Sequence, residues 1–432
     1  MPDPRIPRSR GTGYGWRELA GDSSGGFIAA LIALPYGLAL ARLMGLPPEF
    51  GLFTSILTAP ITALVGRNPV LIGGTASATV PFIAAAVRSQ GVGGAAKICL
   101  AAAVFMMMFC VLKLGRWVAR APHVVVSGFS CGVGAMMVIL QLRTMLGLSG
   151  SRANASEIPI GQLISVLGSL GQAHARPLAL GVIVVIGAIA AGRRWPRSPA
   201  ALIGIGLSVA VTGILGWHER ALGVVGFSIP PLAGFTWTPS DVVDILPSAL
   251  GLAFVTSINV LITSRVVEHF QGRHRPLRRA DADAELGAYG IANLCAGVFG
   301  APMSVGIPAR SLANVRCGGT TRLSNFLHAL FLFAMVRFGS SVIAVIPLAA
   351  LAGVTTYVGI GLLEWSTWRR LHRLRRLDAA AFLATAIAVL ATNAVAAVAI
   401  GWLIHGAGRL IDRLVALDRI PVLKDWRAVK KF

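Results

Sequence analysis

The chain has 432 residues, 55% of them hydrophobic and only 13% charged, with a mean hydropathy of +0.73. A soluble domain carries about 25% charged residues, so this composition excludes a soluble globular protein and indicates a polytopic membrane protein. The net charge of +22 would suggest nucleic acid in a soluble chain. In a membrane protein the placement of charge decides, and no nucleic-acid role is expected.

Residues 1–23 read as a cytoplasmic segment carrying Arg5, Arg8, Arg10 and Arg17. The apolar run that begins near Gly25 is too long for a signal-peptide core, and no small-residue cleavage site follows it, so it stays as a first span. Crossing a bilayer takes about 20 apolar residues in a helix. Segments between charged or Gly/Pro breaks give fourteen candidate spans, starting near residues 24, 50, 70, 95, 122, 178, 200, 243, 284, 304, 322, 340, 378 and 394. They form a transporter domain over 24–413, divided into halves of about 24–217 and 243–413, with a short basic tail at 414–432.

The loops orient these spans. With the N-terminus in the cytoplasm, thirty of the 39 Lys and Arg residues fall on cytoplasmic segments. Eight fall outside: Arg42, Arg88, Lys97, Arg143, Arg152, Arg176, Arg220 and Arg337. That is the positive-inside pattern, and it places both termini in the cytoplasm of a multi-pass protein of the cell membrane. The clusters Arg273–Arg279 and Arg369–Arg376 are orientation signals in this reading.

Two segments repeat. Glu49-Phe50-Gly51-Leu52-Phe53 opens the second span and Glu285-Leu286-Gly287-Ala288-Tyr289 the ninth, each as E-x-G-x-aromatic. Each runs on to a glycine, Gly66 or Gly300, and then to a Gly/Pro break: Asn68-Pro69…Gly73-Gly74 and Ala301-Pro302…Gly306-Ile307-Pro308. Seven spans separate the copies, and an odd number gives them opposite orientation, hence a 7+7 inverted repeat.

Broken backbone at membrane depth needs protein, water or ligand as a partner. After each break a half-helix is expected, one starting around Gly74-Thr75-Ala76-Ser77 and the other around Pro308-Ala309-Arg310-Ser311. Helix starts offer free N–H groups and a positive dipole end to anions. Arg310 adds a permanent cation in an apolar stretch, which costs about 2.5 kcal/mol or more and persists mainly beside a cavity, counter-ion or substrate. Two readings remain open at this level: an anion ligand between facing half-helices, or a structural cation that snorkels or pairs with a carbonyl.

Other chemistry has little support. The five cysteines show no metal or disulfide spacing, and His123, His328 and His405 lie in or beside spans without partners at metal spacing. No G-x-S-x-G, H-E-x-x-H or P-loop occurs, so no enzyme, cofactor or metal is expected. Gly128-Phe129-Ser130-Cys131-Gly132 is a G-x-x-x-G that lets helices approach.

From about Trp16 to Gly406 the chain resembles the SulP family of anion transporters, the sulfate-permease group related to solute-carrier family 26. The resemblance rests on Leu34-Pro35-Tyr36-Gly37-Leu38-Ala39, Gly45-Leu46-Pro47-Pro48-Glu49-Phe50-Gly51-Leu52-Phe53, Ser127-Gly128-Phe129, Ala309-Arg310-Ser311-Leu312-Ala313-Asn314 and Ile346-Pro347-Leu348-Ala349-Ala350-Leu351. It implies an all-α fold of core and gate domains that binds an anion between the third and tenth spans and moves it by an elevator-like motion. The implied site comprises Arg310, Ala309, Pro308, Ser311, Gly74, Thr75, Ala76 and Tyr36.

The chain also departs from that pattern. The family's first-span Gln is Tyr36, and its Ser before the arginine is Ala309. The acid that couples some members to a proton or cation falls on Asn259, and a later acid on Asn393. Glu268, the nearest acid in sequence, lies about two and a half turns further on. The cytoplasmic STAS domain usual in the family is not expected here. The expected partners are a small inorganic or carboxylate anion, the lipid bilayer and a second copy of the chain in a homodimer. Transport of sulfate, bicarbonate, chloride or a carboxylate without Na⁺ or H⁺ coupling is expected. The alternatives are a transport-inactive scaffold or sensor and a nucleobase-type permease of the same architecture.

Overall fold

A computed structural model describes residues 15–115, 122–148, 159–195, 199–223, 229–232, 234, 236–270, 279–392 and 394–418. Most of the N-terminal segment and tail, the 273–278 part of the basic cluster, Arg152 and Asn393 lie outside the described residues.

The first half contains α1 (Trp16–Leu43), α2 (Pro48–Val65), β1 (Gly73–Thr75), α3 (Val80–Val111), α4 (His123–Met145), α5 (Pro159–Gly168), α6 (Ala175–Arg194) and α7 (Ala200–Ile214). The second half contains α8 (Pro239–Asp244), α9 (Leu246–Phe270), α10 (Arg279–Gly297), β2 (Ser304–Gly306), α11 (Pro308–Arg316), α12 (Leu323–Phe338), α13 (Ser340–Ala344), α14 (Leu348–Leu362), α15 (Trp365–Arg370), α16 (Arg376–Ala391) and α17 (Ala394–Asp418). Among the described residues, seven helical stretches are long and apolar enough to cross a bilayer, and four shorter apolar helices accompany them. Inside α3, Gly91 takes φ +62° and ψ −149°, which divides the stretch near the expected boundary between the third and fourth spans.

The helices pack as two groups. In one, α2 and α3 pack against α10, α3 against α9, and α1 against α2, α11 and α12. In the other, α4 packs against α14 and α16, and α6 against α7 and α14. Close approach rests on small residues. A Cβ on Gly128 would lie 2.6 Å from the Phe382 carbonyl oxygen, and one on Gly132 would lie 2.7 Å from that of Ala386, so the G-x-x-x-G is the face on which α4 meets α16.

Three expectations about element boundaries change. The first span begins at Trp16 instead of near residue 24, with the Gly15 N–H donating to Glu18 Oε2 at 3.1 Å. The twelfth begins at Leu348 instead of near 340, because Pro347 ends the preceding stretch and caps the new helix. Of the expected half-helix start Gly74-Thr75-Ala76-Ser77, Gly74 and Thr75 belong to a strand and only Ser77 is helical, so the all-α expectation gains a two-stranded sheet. β1 pairs antiparallel with β2, Gly73 opposite Gly306, Gly74 opposite Val305 and Thr75 opposite Ser304. Each break satisfies the other's N–H and C=O groups, which no lipid could do. Helix resumes only afterwards, as a 3-10 turn at Ser77–Thr79 leading into α3.

Candidate anion site at the crossed breaks

Side chains from five helices hold the two breaks in place. Thr54 on α2 donates to the Pro302 carbonyl at 2.8 Å. Asn293 on α10 donates to the Ser304 carbonyl at 3.0 Å and accepts the Ser304 N–H at 2.6 Å. Thr263 on α9 donates to the Gly306 carbonyl at 2.9 Å, and Asn325 on α12 donates to that of Leu71 at 3.3 Å. Asn314 adds a bond of 3.3 Å to the Val70 carbonyl. Sequence reading missed Asn293 and Asn325, and it quoted Asn314 in a motif without giving it a role. Their signal was an amide inside an apolar helix, where a polar side chain must find a partner.

Beyond the strands, Pro308 opens α11, where its missing N–H costs nothing. The first-turn N–H groups of Ala309 and Arg310 have no acceptor within their helix, and neither do those of Ser77 and Ala78 after β1, whereas the Thr79 N–H donates to the Ala76 carbonyl at 3.3 Å. Arg310 is 1% exposed. Its Nη1 donates to Ser55 Oγ at 3.1 Å, and its Nη2 has no hydrogen-bond partner among the described residues. The guanidinium passes over Gly74, where a Cβ would stand 2.2 Å from Nη1 and 2.4 Å from Ser55 Oγ. Arg310 has no carboxylate partner among the described residues, so burial leaves its charge uncompensated by the protein.

A cavity of about 590 Å³ opens beside this cation. Tyr36, Thr75, Ala76, Pro308, Ala309 and Arg310 lie on its wall, as does Asn259. The second helix group contributes Arg193, Tyr357 and Trp365. Among the described residues no Asp or Glu lines it, and Glu268 is not on its wall. Two expected site residues stand behind the wall. Gly74 is the floor under the guanidinium. Ser311 is fully buried, accepting the Ile72 N–H at 2.9 Å and donating to the Ile307 carbonyl at 2.9 Å, so it ties the two breaks together. Thr75 reaches the wall but commits its hydroxyl to the Gly51 carbonyl at 3.0 Å. Asn259 turns its amide back onto its own helix, donating to the Val255 carbonyl at 2.8 Å.

A polytopic bundle whose two broken segments cross beside a buried, unpaired cation has the build of a membrane transporter. The sequence profile of the sulfate permease family matches residues 19–385, and the chain belongs to that family. The family is one of membrane anion transporters, not enzymes. The chain is 29% identical over 429 residues to the bicarbonate transporter BicA of Picosynechococcus sp., covering 95% of this chain and 72% of the relative. It is 30% identical over 395 residues to a probable sulfate transporter of Mycobacterium tuberculosis, covering 87% and 68%. The solved transmembrane domain of a cyanobacterial BicA superposes with a TM-score of 0.77 at 25% identity, over 90% of this chain and 98% of that one. The murine solute carrier 26 family member A9, an anion transporter solved in an inward-facing state, shares the fold with a TM-score of 0.81 at 16% identity, over 93% and 70%.

Proposed function

We propose that the protein carries a small inorganic or carboxylate anion across the membrane as a secondary active or facilitative transporter, and that the anion binds between Arg310 and the two helix starts. The carrying observation is Arg310 itself: a fully buried guanidinium with one free nitrogen, beside a cavity without a single carboxylate. Arg310 supplies the charge, the first turns after β1 and β2 supply backbone donors, and Tyr36 with the Thr75–Ala76 edge shapes the wall. Oxyanions such as bicarbonate and sulfate suit a planar fork of donors, and both names occur among the relatives. The fourteen-span topology with both ends in the cytoplasm belongs to this reading.

The two packed helix groups would move against each other as core and gate, because the cavity has wall from both. Asn259 occupies the coupling position with an amide that does not titrate and already has a backbone partner, so exchange or uniport without Na⁺ or H⁺ is expected. A nucleobase permease would need carboxylates reaching a base, and the cavity wall offers none. Reconstituted protein, tested with labelled sulfate, bicarbonate, chloride, short carboxylates and uracil, checks the reading. Uptake of uracil alone, or of nothing, would overturn it.

A further inference from the structure

The positive-inside pattern strips one face of the protein of basic residues, so those that remain there carry information. Of the eight placed outside by the topology, five meet in two adjoining cavities. A cavity of about 790 Å³ is lined by Arg42, Arg143, Arg176 and Arg220, with His174 and His218. Glu219 is the single carboxylate on its wall among the described residues. A neighbouring crevice of about 290 Å³ shares Arg42, Thr144 and Leu348 with it and adds Arg88, Gln141 and Gln162, with no carboxylate.

These cavities lie at the opposite end of the molecule from the Arg310 cavity. The same four helices reach both: α1 presents Tyr36 to one and Arg42 to the other, and α6 presents Arg193 and Arg176. Likewise α4 presents Phe129 and Arg143, and α14 presents Tyr357 and Leu348. Arg176 and Arg193 are seventeen positions apart in a continuous helix, which is about 25 Å. Arg42 is six positions beyond Tyr36, about 9 Å along α1, so the crevice beside it runs down the seam that ends near the inner cavity.

The basic rim is also built rigidly. The Leu348 N–H donates to the Arg220 carbonyl at 2.8 Å, and the Leu222 N–H to that of Ile346 at 2.8 Å. The His174 N–H donates to the Leu146 carbonyl at 2.9 Å, and the Arg176 guanidinium lies over the Trp217 ring at 5.9 Å from its centroid. Holding like charges together against their repulsion has a use where an anion completes the group, and a recessed basic cavity concentrates anions and speeds their capture.

We propose that this basic cavity is a second anion-binding site, an outer antechamber that takes the transported small inorganic or carboxylate anion before it passes Arg42 and the crevice toward Arg310. The proposal rests on the anion-transport reading for its purpose. Its ligand chemistry stands on these arginines alone.

The test uses the full chain in oriented proteoliposomes, with labelled sulfate or bicarbonate, whichever the wild type carries. The double variant R176Q/R220Q should raise KM about tenfold when anion is offered from the antechamber face. The loss should fall on KM rather than kcat and leave KM from the opposite face unchanged, and R176K/R220K should restore it. If the glutamine variant does not fold, the wild type still decides: potassium gluconate added on the antechamber face should raise KM there and not on the other. An unchanged KM, or a salt effect equal on both faces, overturns the proposal. Equilibrium sulfate binding by Arg310→Ala separates the two ideas. Binding kept in Arg310→Ala and lost when R176Q/R220Q is added to it supports the antechamber even if wild-type flux is absent, and no residual binding in Arg310→Ala overturns it.

Discussion

The two breaks occupy matching places in the repeat, and their backbones treat each other almost as equals across the strand pair. Their chemistry is one-sided. The second break leads directly into α11 with Arg310 in its first turn. The first leads into a 3-10 turn, Ser77–Thr79, that carries no cation, and its Gly74 has no side chain, which leaves room for the guanidinium and Ser55. Even their supports are exchanged between halves. Glu285, on α10, accepts the N–H groups of Arg67 and Asn68 after α2, and Arg322 donates to the Gly66 carbonyl at 3.1 Å. Asp22, on α1, accepts the N–H groups of Thr320 and Thr321 beyond α11. The crossed breaks thus form a nearly symmetric backbone frame, and Arg310 from one break lying over Gly74 of the other gives that frame a one-sided charge.

Removing the charge should have the largest effect. Arg310→Ala is expected to weaken anion binding by about 1.5–3 kcal/mol, the scale of a charge-assisted hydrogen bond. Arg310→Lys should recover only part of this, because it keeps charge without the planar fork. Isothermal titration or anion-dependent thermal shifts would read it, and unchanged affinity in a folded Arg310→Ala would make the residue structural.

The next test sets the two repeats directly against each other. Gly74→Ala puts a Cβ where the guanidinium lies, so it should displace Arg310 and reduce transport about tenfold, in line with overpacking costs of about 1–3 kcal/mol. Val305→Ala changes the residue paired with Gly74 and should leave flux within about twofold, since it removes bulk without touching the cation. Equal losses from both would mean that the strand pair, and not the space over Gly74, governs the site.

A smaller effect is expected at Asn259. Wild-type flux should be insensitive to imposed Na⁺ or pH gradients, and Asn259→Asp or Asn259→Glu should introduce dependence on one of them. Gradient-driven accumulation by the wild type that neither variant alters would place coupling elsewhere.

The smallest effect concerns the clamp between α3 and α8. Lys97 Nζ meets Asp241 Oδ2 at 2.8 Å, and Gln90 donates to Asp241 Oδ1 at 3.0 Å. The Lys97 ammonium first, then Gln90 and Thr238, hold the Asp241 carboxyl well below the usual carboxylate range. A depressed pKa stabilises the fold above the unfolded value of about 3.9, and that contribution is lost as pH falls through the lower folded value. Asp241→Asn should therefore lower the thermal midpoint modestly at pH 7. The gap to wild type should close as the pH drops below about 4, readable by scanning fluorimetry at several pH values.

Much of this was legible along the chain. The long apolar runs, their Gly/Pro interruptions and the basic loops follow from the cost of polar backbone and charge in lipid, which acts on each segment locally. Pro308 marked a helix start that the structure has at that residue. That Ser311 bonds the first break was not legible, because its partner, Ile72, is 239 positions away. The pairing of Gly73–Thr75 was not legible for the same reason, since three extended residues acquire it only from Ser304–Gly306.

By itself, then, the sequence determined a membrane-embedded chain with two inverted, broken halves and one cation at depth, since hydrophobic period, proline and charge carry their costs wherever they occur. Only the tertiary structure decided which hydrogen bonds satisfy the broken backbone, that Arg310 lies over Gly74 beside a cavity with no carboxylate among its described lining residues, and that arginines scattered along the chain gather at one rim. Those outcomes depend on contacts between residues far apart in the chain, and such contacts exist only once the helices have packed.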